Sequence, residues 1–139
     1  MDLARRIMKS KRDSNYKNCL GTAFFISGVL SYEGISDPIT AYEEVLKHLV
    51  SLRAPEIGAI VVLYRHGFTF ENEAMHAGVW TSLNPGRVVH RNGVHGELIV
   101  DDYLDRFKIY LGFDRRRYPG VRWSLKYYSS VPKDLADLL

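Results

Sequence analysis

A chain of 139 residues that is 46% hydrophobic can bury a core without help from metal or disulfides, and it fits one domain over 1–139. Its 19 basic and 16 acidic residues leave a formal charge of +3, which is compatible with an anionic partner but too small to require one. A lone cysteine forms no internal disulfide, no stretch reaches the roughly 18 apolar residues of a spanning helix, and no signal-like apolar run follows the basic N-terminus, so a cytoplasmic protein or one released by a non-Sec route is expected.

Asp2 to Lys11 places Leu3, Ile7 and Met8 on one side among cations, the pattern of a short amphipathic helix that Ser14-Asn15 ends. A mostly apolar helix follows from Asn18 to Val29, carrying the single cysteine, Cys19, in its first turn. A helix N-terminus offers unpaired N–H groups and the positive end of the macrodipole, which bias a thiol there toward thiolate. The competing reading of such a residue is a small core hydrophobe. After a Gly- and Ser-rich loop over Ser31 to Asp37, Asp37 is a good N-cap and Pro38 suits the first helical position. Tyr42, Val45, Leu46, Leu49 and Leu52 then recur at helical spacing and predict a helix to Leu52, with Glu43, Glu44 and His48 on its wet side.

At Pro55-Glu56-Ile57-Gly58 the period changes from helical to alternating. Ala59 to Tyr64 is apolar throughout, as in a central strand covered on both faces. His66 to Glu73 reads as an exposed loop, Met75 to Trp80 as a second strand, Leu83-Asn84-Pro85-Gly86 as a turn, and Arg87 to Arg91 as a third strand. A turn centred near Leu83 places His76 directly opposite His90, with both imidazoles on one face. Gly78 shares that face and leaves room for an approaching helix, and Asn92 lies beside His90. Asn92-Gly93 signals another hairpin and Gly96 to Val100 a fourth strand. Asp101-Asp102 reads as a helix cap, with Tyr103, Leu104 and Phe107 covering the sheet. Tyr110 to Pro119 is irregular, Val121 to Tyr128 is a last strand, and Pro132 releases a tail carrying Leu135, Leu138 and Leu139.

The order Asn18-Cys19-Leu20-Gly21, Pro55-Glu56-Ile57-Gly58-Ala59-Ile60-Val61-Val62, His76-Ala77-Gly78-Val79-Trp80 and Val88-Val89-His90 resembles the NlpC/P60 papain-like cysteine peptidases. The resemblance covers residues 16 to 91. It implies an α+β papain-like fold, with N-terminal helices packed on an antiparallel five- to six-stranded sheet. It also implies Cys19 as nucleophile, His76 as general base, His90 as the group orienting His76, and Tyr16 in the substrate cleft. Asn18 and Leu20 stand where that family has aspartate and serine, positions that in relatives help bind the free amine of a peptidoglycan stem peptide. Asn18 and Asn92 join Tyr16 as substrate-binding candidates. The expected activity is a thiol hydrolase of amide bonds in peptides or peptidoglycan fragments, needing no cofactor. The alternatives on the same fold are an acyltransferase, a deamidase and a catalytically silent binding module.

The chemistry of the residue types agrees with those roles. A thiolate attacks a carbonyl, an imidazole takes the thiol proton and later protonates the leaving amine, and a third polar group fixes the imidazole tautomer. Zinc on His76, His90, His95 and Glu97 with Cys19 is the rival, but the spacing lacks the close or helix-borne ligand pairs of ordinary zinc sites, so no metal is expected. Arg115-Arg116-Arg117, Tyr118, Arg122, Trp123, Lys126, Tyr127 and Tyr128 mix cations with rings able to hold phosphates and stack bases. A solvated, twisted edge strand has the same composition and no nucleic-acid module is seen, so no nucleic-acid partner is expected.

Overall fold

The computed structural model describes residues 2–12, 17–67, 70–92, 96–107 and 119–133. In chain order they form α1 (Leu3–Arg12), α2 (Cys19–Ser27), α3 (Pro38–Glu44), β1 (Leu49–Leu52), β2 (Ile60–Gly67), β3 (Phe70–Leu83), β4 (Gly86–Arg91), β5 (Leu98–Tyr103), α4 (Leu104–Phe107) and β6 (Arg122–Pro132). The six strands make one open antiparallel sheet in the order β1-β6-β2-β3-β4-β5, so the architecture is α+β. No helix among the described residues is long and apolar enough to cross a membrane.

Strand β2 organises the interior because its residues are apolar on both faces. Ile60, Val62 and Tyr64 pack into one core with Leu20, Phe24 and other residues of α2, while Val61 and Leu63 pack into a second with Trp80, Val88 and Phe107. Of the residues named, all but Leu20 and Trp80, which are 2% exposed, are shut off from solvent completely. Helix α2 is short and buried on nearly every side, so packing rather than propensity holds it, each large side chain contributing about 1.5–3 kcal/mol.

Three sequence expectations are corrected. The helix expected from Pro38 to Leu52 stops at Glu44, although its start is as expected, with the Asp37 carboxylate accepting the Thr40 N–H at 2.9 Å. Val45 leaves helical geometry at φ −127°, ψ −66°, a short 3-10 turn covers Leu46–His48, and Leu49–Leu52 becomes β1 by pairing with β6. Leu46 and Leu49 are buried in the first core, so the apolar spacing is satisfied by a bent chain as well as by a helix. The loop expected over His66 to Glu73 is mostly strand, since β2 runs to Gly67 and β3 starts at Phe70. His66 pairs with Arg122 across β6, and its ring nitrogen Nε2 lies 2.7 Å from the Ser124 hydroxyl. Finally, the basic and aromatic strand β6 is not an edge strand. It lies between β1 and β2 and continues past Tyr128 to Pro132. The expectations for Gly93, Tyr110 to Tyr118 and the leucines of the tail lie outside the described residues.

Candidate active site

Cys19 is the first residue of α2, and the chain around it is tied down locally. Asn18 is the N-cap: its Oδ1 accepts the N–H of Gly21 at 3.0 Å and of Ser36 at 3.2 Å, and its Nδ2 donates to the Ser36 carbonyl at 2.9 Å. The Asn18 N–H also donates to the Gly34 carbonyl at 3.3 Å. The 33–36 loop thus crosses the start of α2 so closely that a Cβ on Gly21 would overlap the Gly34 carbonyl oxygen. The side chain of Asn18, a substrate-binding candidate in the sequence, is engaged in holding this crossing.

Beneath the crossing lies a buried charge cluster. Glu33 accepts from Ser10 Oγ at 2.7 Å, Thr22 Oγ1 at 2.6 Å and Lys17 Nζ at 3.2 Å, with Arg91 Nη2 at 3.6 Å. Arg91 reaches across to Thr22 Oγ1 at 3.0 Å and Ser10 Oγ at 2.9 Å. Helix α1, helix α2, the Glu33 loop and the end of β4 are therefore pinned to one another.

The thiol is half-buried, and the backbone N–H groups of Ala77, Leu20 and Cys19 itself lie near enough to favour its anion. Trp80 donates its N–H to Ala59 on the β2 side, so by alternation the N–H of Ala77 points toward β4. The β3–β4 ladder ends at Val79↔Val89, short of Ala77. The expected bias toward thiolate is corrected in sign. Those N–H groups do favour the anion, but burial outweighs them and pushes the Cys19 thiol above its ordinary pKa.

His76 and His90 meet, with His76 Nε2 2.8 Å from His90 Nδ1. Both rings are 2% exposed and both pack on Phe107, with centroids at 4.8 and 5.4 Å. Their register differs from the expected one. Extending Val79↔Val89 puts Gly78, not His76, opposite His90, because the turn centres on Asn84-Pro85 and β3 carries a bulge between Trp80 and Ser82. The shift is two residues, so both side chains keep the same face and meet on the diagonal. Gly78 leaves room, as expected, but for α4: a Cβ there would sit 3.2 Å from Phe107 Cε2 and 3.3 Å from His90 Cβ. The imidazoles therefore lie in the layer under Phe107, and α2 covers the other face. Cys19 packs in the core under α2, on the face of β3 opposite the one where both rings pack against Phe107.

Sequence reasoning missed Asp102. It lies on β5 rather than at a helix start, it is 6% exposed, and its Oδ2 is 2.8 Å from His90 Nε2. A bulge between Val88 and His90 brings that carboxylate beside the ring. The only sequence signal was the adjacent pair Asp101-Asp102 at the end of an apolar run. With Asp102 as carboxylate, His90 donates from Nε2 and accepts at Nδ1, and His76 then donates from Nε2, so the His76 lone pair is on Nδ1. Burial, reinforced by His90, pushes the His76 pKa down to about 3.

Asn92 is exposed at the end of β4, its N–H donating to the Glu97 carbonyl at 3.3 Å. Tyr16 and His95 lie outside the described residues. Among the described residues no group of three His, Cys, Asp or Glu side chains is arranged to hold a metal ion. No family model, curated protein or solved structure matches this chain.

Proposed function

We propose that the protein is a papain-like cysteine hydrolase of the NlpC/P60 kind, cleaving amide bonds in peptides, with peptidoglycan stem peptides as the first substrates to test. The observation that carries this reading is the hydrogen-bonded line Asp102–His90–His76, whose last member precedes Ala77, a residue of the core against which Cys19 packs. Cys19 is the nucleophile, His76 the general base and acid, and His90 and Asp102 position His76.

The mechanism requires the thiol and His76 Nδ1, which pack on opposite faces of β3, to come together at that strand; Cys19 Sγ then bonds to the scissile carbonyl carbon as His76 Nδ1 takes the thiol proton, and the carbonyl π pair moves to oxygen. The Cys19 N–H, at the start of α2, stabilises that oxyanion. His76 returns the proton to the amine nitrogen as the C–N bond breaks, leaving a thioester. Water, deprotonated by His76, then attacks the thioester, the C–S bond breaks, and the proton returns to sulfur. Asn18 holds Cys19 in place, and Asn92 and Tyr16 contact the peptide. An acyltransferase or deamidase differs only in which nucleophile or amide takes part.

A muropeptide and peptide-amide panel tests the proposal. Cys19→Ala and His76→Ala abolish hydrolysis with the fold retained, and His90→Ala lowers it less. Hydrolysis retained by Cys19→Ala refutes the mechanism. A second reading, a catalytically silent binding module, is favoured by the burial that keeps both thiol and imidazole neutral. On that reading Cys19 reacts with iodoacetamide no faster than a free thiol at neutral pH, and no member of the panel is cleaved.

A further inference from the structure

A groove of about 400 Å³ opens along β1 and β6, on the far side of β2 from the thiol. Its volume falls within the roughly 300–1,000 Å³ of small-molecule sites. Tyr42, Lys47, Arg53, Lys126, Tyr127 and Lys133 line it, and no carboxylate does. Lys47 is held by Glu43 at 2.9 Å, but Arg53, Lys126 and Lys133 have no carboxylate partner among the described residues. Lys126 rests instead over the Tyr64 ring, 5.1 Å from its centroid.

Three cations with no carboxylate partner among the described residues, set around one concavity in a chain whose net charge is only +3, make a positive potential there. A single carboxylate balances one of them, whereas a phosphate chain balances several and accepts from all of them. The wall also contains Tyr128, whose hydroxyl is 2.7 Å from that of Tyr64. Two phenols sharing one hydrogen bond leave one O–H proton that this contact does not use. Tyr42, 37% exposed, offers a ring at the rim.

We propose that this groove binds the phosphate chain of a small ligand of nucleotide size. The site is separate from the cysteine chemistry and stands whether or not that chemistry does.

Calorimetric titration of the full chain with ATP, tripolyphosphate and adenosine tests it. ATP and tripolyphosphate bind, adenosine does not, and added salt weakens both. Arg53→Gln and Lys126→Gln, both at exposed positions, each weaken binding about five-fold. Lys11→Gln, on α1 at the opposite edge of the sheet, leaves it unchanged, as does Cys19→Ala. Tighter binding of ATP than of tripolyphosphate supports the site with a ring on the tyrosines, and equal binding supports it with the phosphates alone. Absence of binding by both, adenosine binding as well as ATP, or an equal loss in Lys11→Gln overturns the proposal.

Discussion

His76 Nε2 lies 2.8 Å from His90 Nδ1, and Ala77, the residue after His76, belongs to the core against which Cys19 packs. One strand, β3, thus connects the layer under α2 with the layer under Phe107. The helix supplies the thiol, and the opposite layer supplies a line of imidazoles ending on a buried carboxylate.

Asp102→Asn keeps the shape of that carboxylate but can offer an N–H to His90 Nε2, which reverses the direction of both hydrogen bonds. The lone pair of His76 then moves from Nδ1 to Nε2. Turnover falls about 10- to 100-fold with little change in KM. The ¹⁵N shifts of the two imidazoles report the tautomer exchange directly, a change that a purely structural role for Asp102 does not produce.

Burial holds the His76 imidazole at about 3, far below its ordinary 6.5. Between those values the unfolded chain binds a proton at His76 that the folded chain does not. Stability is therefore whole above about pH 6.5 and falls as pH drops, by about 1.4 kcal/mol per unit, until the folded group titrates as well. Urea unfolding across this range should show a steeper loss for the wild type than for His76→Ala. Parallel slopes contradict a buried neutral imidazole.

How much of this was legible in the sequence follows from what each residue needed. Alternation along the strands put His76 and His90 on one face, and because the true register differs by two residues that face survived the error. The position of the turn did not, since the bulge between Trp80 and Ser82 leaves no mark in residue type. Asp37-Pro38 signalled the start of α3, but no residue signals its end at Glu44, which depends on β6 claiming Leu49–Leu52. Asp102 was illegible as a partner of His90 because a bulge on a separate strand pair brings them together. The raised pKa of Cys19 depends on burial, which a helix-start motif does not reveal.

Glu33→Ala leaves Lys17 and Arg91 in a buried site without the carboxylate they share, only 4% and 7% of their side chains being exposed. The expected loss is about 3–5 kcal/mol, and Glu33→Gln, which keeps a hydrogen-bond acceptor, loses less. Denaturant unfolding measures both.

Gly21→Ala drives a methyl group into the Gly34 carbonyl, so the 33–36 loop or the start of α2 must move. Stability falls by about 1–3 kcal/mol or more. Turnover falls further than in a variant equally destabilised elsewhere, because the same displacement moves Cys19 in the first turn of α2.

The central claim is that Cys19 forms a covalent acyl bond with help from His76. Intact-protein mass spectrometry during turnover of an activated peptide ester tests it most directly. The account expects one acyl increment, mapped to Cys19, absent in Cys19→Ala and strongly slowed in His76→Ala. An increment that persists in Cys19→Ala, or that forms at the wild-type rate in His76→Ala, contradicts it.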